Sequence, residues 1–268
     1  MEDITLELTP DFRHECKNNN LNLDSWNVSY FNSQNKNFIN KYGYFYIIKK
    51  VLSDDQSLPT LVGLAGFSVK SFCGTTNRII ENLPKIEKKF KDIWVLCFTS
   101  QIRDMQTKAC NARDALKDAL KDANHSDIYK PEIDLNEELG SVVDKLLRSI
   151  NLTNVHLLGK CAGSGVAIHT FTKSDIYNCL YLGVSASPKN VEHLLTKKWN
   201  NKRFIFAWDK RDAYKFTWGQ SNKEIEKYRN TMNFLQGTNN TVIIEEFEEG
   251  QSDDKKYHEV PNDLFDLL

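Results

Sequence analysis

Asn154-Val155-His156-Leu157-Leu158-Gly159-Lys160-Cys161-Ala162-Gly163-Ser164-Gly165-Val166-Ala167 decides the fold of this chain. The first six residues form a short, nearly continuous apolar run, the pattern of a strand buried on both faces of a parallel sheet. The residues from Gly163 to about 172 follow as a helix of small and apolar residues. Between the two lies Gly159-Lys160-Cys161-Ala162-Gly163. A side chain projecting from such a strand–turn–helix corner needs small residues two before and two after it, so that strand and helix approach without collision. The helix that starts just beyond Cys161 presents free N–H groups and the positive end of its dipole. Those favour a thiolate at Cys161 and an oxyanion beside it. The alternative is a tight turn in which Cys161 merely packs.

Working outward, strand and helix patterns alternate. Strands are predicted at 44–51, 60–65, 92–99, 154–159, 178–185, 203–208 and 241–247, with 32–40 as a candidate hairpin partner of the first. Helices are predicted at 75–90, 103–123, 137–150, 163–172, 191–199, 222–235 and 261–268, and Pro84 should kink or split the first of them. This alternation implies an α/β fold with a doubly wound, mostly parallel sheet. No repeat or domain boundary interrupts it. The chain reads as one domain, with 1–40 as an N-terminal extension or hairpin and 100–133 as an inserted helix and loop.

Composition narrows the class of function. Lys and Arg number 35 against 36 Asp and Glu, which gives no basic excess for a nucleic-acid surface. Residues 1–11 lack the basic start and apolar run of a signal peptide, and no apolar stretch approaches membrane-spanning length. The six cysteines, at 16, 73, 97, 110, 161 and 179, show no CxxC spacing. Cys97 and Cys179 sit inside predicted strands, where Cys behaves as a small hydrophobe. The expectation is a reduced, cytoplasmic protein with no metal and no organic cofactor.

With these residues in hand, residues 134–172 resemble the core of the α/β-hydrolase superfamily. They carry an acidic amphipathic helix, Val155-His156-Leu157-Leu158-Gly159, the nucleophile elbow, and Gly163-Ser164-Gly165-Val166-Ala167. By order of elements the resemblance extends over residues 44–268. The usual elbow carries Ser. Cys at that place is similar to the dienelactone hydrolases, which use a Cys–His–Asp triad.

The resemblance implies the remaining roles. The family order is nucleophile, acid, histidine, with the acid beyond the strand after next. That places it in Asp209-Lys210-Arg211-Asp212, favouring Asp212 with Asp209 as the alternative, although both also read as solvated loop acids beside basic residues. The histidine follows the last strand, where His258 is the one His in the sequence. The oxyanion hole would use the N–H of Ala162 and a second N–H from Leu64-Ala65-Gly66-Phe67-Ser68, where Phe67 is the candidate. The connection 185–202 is too short for the large lid that many family members insert there. The implied activity is a Cys-dependent hydrolase or acyltransferase acting on the ester, thioester or lactone carbonyl of a small-molecule or acylated substrate. The alternative is a non-enzymatic binding or scaffold protein of the same fold.

Overall fold

The computed structural model describes residues 4–7, 10–33, 45–98, 102, 104–105, 107–108, 111, 131–183, 188–209, 222–237, 239–247 and 260–268. The strands are β1 (Ile4–Glu7), β2 (Asn27–Ser33), β3 (Phe45–Val51), β4 (Thr60–Leu64), β5 (Asp92–Phe98), β6 (Val155–Gly159), β7 (Tyr177–Leu182), β8 (Arg203–Asp209) and β9 (Thr241–Phe247). They form one sheet in the order β1-β2-β3-β5-β4-β6-β7-β8-β9. β1, β2, β3 and β5 pair antiparallel in turn, and from β5 across to β9 every pairing is parallel. β6 lies inside the sheet between β4 and β7, and its C-terminal end delivers the chain to Cys161.

The helices are α1 (Pro10–Asn18), α2 (Val69–Glu81), α3 (Leu83–Ile86), α4 (Pro131–Ser149), α5 (Ala162–Phe171), α6 (Pro188–Glu192), α7 (Asn222–Gln236) and α8 (Leu264–Leu267). A 3-10 turn, His193–Thr196, follows α6. Two cores divide them between the faces of the sheet. On one face Leu139, Val143 and Leu146 of α4, Val166 of α5 and Leu235 of α7 pack against Val62, Leu64 and Leu157. On the other, Phe12 and Cys16 of α1, Phe72 and Ile79 of α2, and Leu264 and Phe265 of α8 pack against Leu61, Val95 and Leu158. Alternate residues of one strand therefore serve opposite cores, as the pleat requires. A strand covered on both faces reads as a continuous apolar run, and this accounts for the unbroken burial of β4 and β5.

Several expectations shift. The partner of β3 is β2 at 27–33, most of it before 32–40: Val28 of β2 is buried and pairs with Ile48, whereas residues 34–40 lie outside the described residues. The N-terminal stretch also supplies β1 and α1. The helix expected at 75–90 begins six residues earlier, because Ser68 caps it by accepting the Ser71 N–H at 3.1 Å. It breaks at Asn82, before Pro84, as the proline predicts. The helix expected from 137 starts at Pro131, a first helical position that suits proline. Of the helix expected at 103–123, the described residues 104, 105, 107, 108 and 111 are helical, and the rest lies outside the described residues. β8 runs one residue further than expected, so that Asp209 ends the strand, paired with Phe247.

Candidate active site

Cys161 stands between β6 and α5 with φ 55° and ψ −128°. Positive φ is unfavourable for a residue with a side chain, and holding one there costs on the order of 1–3 kcal/mol. The surroundings enforce it. The Lys160 N–H donates to the Leu64 carbonyl at 3.0 Å, tying the turn to the end of β4. The Gly163 and Ser164 N–H groups donate to the Lys160 and Cys161 carbonyls, each at 2.9 Å, which closes the turn straight into α5.

Two glycines make room for it. A Cβ on Gly163 would fall inside the van der Waals envelope of the Leu64 carbonyl oxygen and only 2.5 Å from that of Ala65. A Cβ on Gly159 would lie 2.7 Å from the Ser164 Cα. These are the close approaches for which the sequence places Gly two before and two after the cysteine.

The loop 65–68 lies against the turn: a Cβ on Gly66 would sit 3.6 Å from Cys161 Cβ. Its backbone is anchored by α2. The Gly66 N–H donates to Ser71 Oγ at 3.1 Å, and the Ser71 N–H donates to Ser68 Oγ at the same distance. With Gly66 engaged in this way, the next N–H along the loop is that of Phe67. The Phe67 ring turns into the core, edge-on to Phe98 with centroids 5.1 Å apart, which leaves its backbone at the sheet edge. On the other side of Cys161, Ala162 opens α5, so its N–H has no acceptor within the helix. Ala162 adjoins Cys161 in the chain, and Phe67 follows Gly66, the glycine that lies against the Cys161 side chain.

The C-terminal segment reaches the same edge. The Gly183 N–H, just past β7, donates to the Gly159 carbonyl at 3.0 Å. A Cβ on Gly183 would lie 3.0 Å from Val260 Cγ1 and 3.1 Å from Leu264 Cδ2. Asp212 and His258 lie outside the described residues, and Asp209 is described only as the last backbone position of β8.

Of the five described free cysteines, Cys161 is half-buried and Cys16, Cys73, Cys97 and Cys179 are buried. Burial pushes the Cys97 thiol up, and that of Cys179 up to about 12. Such thiols pack and do not react. Two of the described histidines, His156 and His169, are held by neighbouring polar side chains. His156 Nδ1 meets the Tyr181 hydroxyl at 3.0 Å, and burial, helped by the Arg203 charge, pushes its pKa down to about 4. His169 Nε2 meets Asn190 Oδ1 at 3.2 Å and its ring packs on His193; burial first and His193 second push it down to about 4. Among the described residues, no group of three or more His, Cys, Asp or Glu could hold a metal, and no helix is long and apolar enough to cross a membrane.

Strand order, helix placement and the elbow define the α/β-hydrolase fold. No protein-family model and no curated protein sequence matches the chain. Solved structures do. A thermostable esterase superposes with a TM-score of 0.50 at 14% identity, over 91% of this chain and 60% of its own, so the chain spans about three-fifths of that protein's length. A predicted CIB-like hydrolase from Thermoplasma acidophilum superposes over 100% of this chain and 96% of its own, with a TM-score of 0.46 at 10% identity. A carboxylesterase from Bacillus cereus does so over 87% and 99%, with a TM-score of 0.44 at 15% identity.

Proposed function

We propose that this protein is a cysteine-dependent hydrolase or acyltransferase that attacks an ester, thioester or lactone carbonyl through a Cys161–His258–Asp212 triad. The observation that carries the reading is the backbone of Cys161, held at positive φ on the C-terminal edge of an interior strand. Open α/β sheets bind ligands at that edge. Strain of this kind persists where a side chain must be aimed, which favours catalysis over a binding or scaffold role.

Two further observations support it. Val260 packs over Gly183, and the Gly183 N–H bonds the carbonyl two residues before Cys161. His258 precedes Val260 by two residues, which span at most about 7 Å of chain, in keeping with the triad reading. β8 ends at Asp209 beside β7, and Asp212 follows three residues later. A thermostable esterase carries the same fold, in keeping with an ester-type electrophile.

In this reading the His258 imidazole takes the Cys161 proton, and Asp212 orients the ring and stabilises its charged form. The thiolate adds to the carbonyl carbon, and the oxyanion faces the N–H groups of Phe67 and Ala162. Collapse of the adduct expels the alcohol or thiol, which takes the proton from His258, and leaves a thioester on Cys161. Water or another acceptor, deprotonated by His258, then displaces the acyl group and restores the thiol. The chemistry needs no metal or organic cofactor, and it suits a small-molecule or acylated substrate in a reducing cytoplasm. Turnover of a panel of p-nitrophenyl esters and thioesters tests the proposal: the Cys161→Ala variant should be inactive, and equal turnover by parent and variant would refute it.

A further inference from the structure

The turn that carries Phe67 departs from an ordinary helix start. Ser68 caps α2, and its Oγ accepts the Ser71 N–H at 3.1 Å. In the usual box the side chain three residues beyond the cap reaches back to the cap's own N–H. Here Ser71 reaches two residues further back, and its Oγ accepts the Gly66 N–H at 3.1 Å. The Ser68 N–H donates instead to the Gly66 carbonyl at 2.7 Å, closing a three-residue turn over Phe67.

These two bonds fix the peptide planes on either side of Gly66. The first holds the plane that joins Ala65 to Gly66. The second holds the plane that joins Gly66 to Phe67, and the Phe67 N–H lies in that plane, opposite the Gly66 carbonyl. Glycine has the widest backbone freedom of any residue, so one plane does not set the other without such bonds. Gly66 is also wedged between Ser71 and the elbow. A Cβ there would lie 2.7 Å from Ser71 Oγ and 3.6 Å from Cys161 Cβ. Before Gly66 the chain is fastened to the elbow directly, where the Leu64 carbonyl accepts the Lys160 N–H.

On the hydrolase reading above, in which the Phe67 and Ala162 N–H groups face the oxyanion, we infer that Ser71 is a positioning residue whose hydroxyl oxygen sets the direction of the Phe67 N–H relative to Cys161. Without that oxygen the N–H of buried Gly66 loses its acceptor, and its peptide plane turns to find another. The Phe67 N–H turns with it. Removal of one oxyanion donor costs on the order of a hundredfold in rate, and misdirecting one forfeits part of that.

Two reactions of Cys161 separate this role from a general disturbance. Acylation by p-nitrophenyl acetate develops negative charge on the carbonyl oxygen. Alkylation by iodoacetamide displaces iodide from a saturated carbon and forms no oxyanion. The test reads both in the full chain: the rate of the p-nitrophenol burst, and the rate of Cys161 alkylation mapped by mass spectrometry, with the melting temperature alongside. Parent, Cys161→Ala, Ser71→Ala, Ser71→Val and Ser71→Thr are compared. Val and Thr have the same shape and differ in the hydroxyl. Ser71→Ala and Ser71→Val should slow the burst at least about tenfold and leave alkylation within about twofold of the parent. Ser71→Thr keeps the accepting oxygen and should acylate within about threefold of the parent. A merely structural role would lower the melting temperature and leave the ratio of the two rates where it was. A parental ratio in Ser71→Ala and Ser71→Val, or a burst in Ser71→Thr as slow as in Ser71→Val, overturns the inference and leaves the proposed function standing. Hydrolysis unchanged in Cys161→Ala overturns that function and the inference together.

Discussion

Gly163 lies so close to the Leu64 carbonyl that no side chain fits between them, and this contact is where the end of β4 meets the start of α5. Both neighbours are backbone, one in the sheet and one in the helix, so neither yields cheaply. Gly163→Ala should therefore destabilise the protein by about 3 kcal/mol or more and move α5 away from β4. Denaturant unfolding measures the loss, and a midpoint unchanged from the parent would show that the corner is looser than described.

Stability and chemistry should separate at the opposite end of the sheet. The Asp144 carboxylate accepts from the Tyr177 hydroxyl at 2.8 Å, from Ser174 Oγ at 2.9 Å and from Arg148 Nε at 3.0 Å. Tyr177 opens β7, so the network lies at the N-terminal edge, away from Cys161. Asp144→Ala leaves the buried Tyr177 phenol without its acceptor, while the exposed Arg148 guanidinium is solvated, and should cost about 1–3 kcal/mol. Tyr177→Phe removes one hydrogen bond and should cost about 1–2 kcal/mol. Neither change should alter the alkylation rate of Cys161 in the folded protein.

Acid should destabilise the fold through half-buried His156 and buried His169. His156 and His169 have folded-state pKa values of about 4 against an ordinary 6.5. Between those values the unfolded chain binds more protons, so stability falls as pH drops through that window. Each histidine contributes on the order of 2–3 kcal/mol to the loss by pH 4. His156→Gln should flatten the melting temperature profile between about pH 4 and pH 6.5, and a slope as steep as the parent's would remove His156 from the account.

Thiol chemistry should single out one residue. Cys161 is half-buried at a helix start, while Cys16, Cys73, Cys97 and Cys179 are buried. Limited iodoacetamide treatment of the native protein near neutral pH should label Cys161 first. Preferential labelling of Cys16 or Cys110 would contradict the assignment.

How far these features were legible depended on their physics. The runs at 60–65, 92–99 and 154–159 were plain because strands covered on both faces have no polar side to blur them. The elbow was plain because close backbone approach leaves room only for glycine at 159 and 163. β1 and α1 were obscure: they lie at the sheet edge and in a polar stretch where no apolar run marks them. The start of α2 lies six residues before the first residue of the helical apolar pattern, and its signal is the cap, Ser68 three residues before Ser71. The hydrogen bonds that Asn262 Oδ1 accepts from Arg78 Nη1 and Asn82 Nδ2 have no sequence signal, because Asn262 lies 184 and 180 positions from them and only the fold brings them together. Asp209, read as a loop acid, ends β8 instead, since pairing with β9 carries the ladder one residue further.

The central claim is that Cys161 carries an acyl group during turnover. Rapid mixing with p-nitrophenyl acetate, acid quench and peptide mass spectrometry reads this directly. The account predicts a burst of p-nitrophenol close to the protein concentration and an acetyl group on the peptide that holds Cys161, with both absent in Cys161→Ala and in His258→Ala. Hydrolysis that proceeds unchanged in Cys161→Ala, or an acetyl group found only elsewhere in the chain, would contradict it.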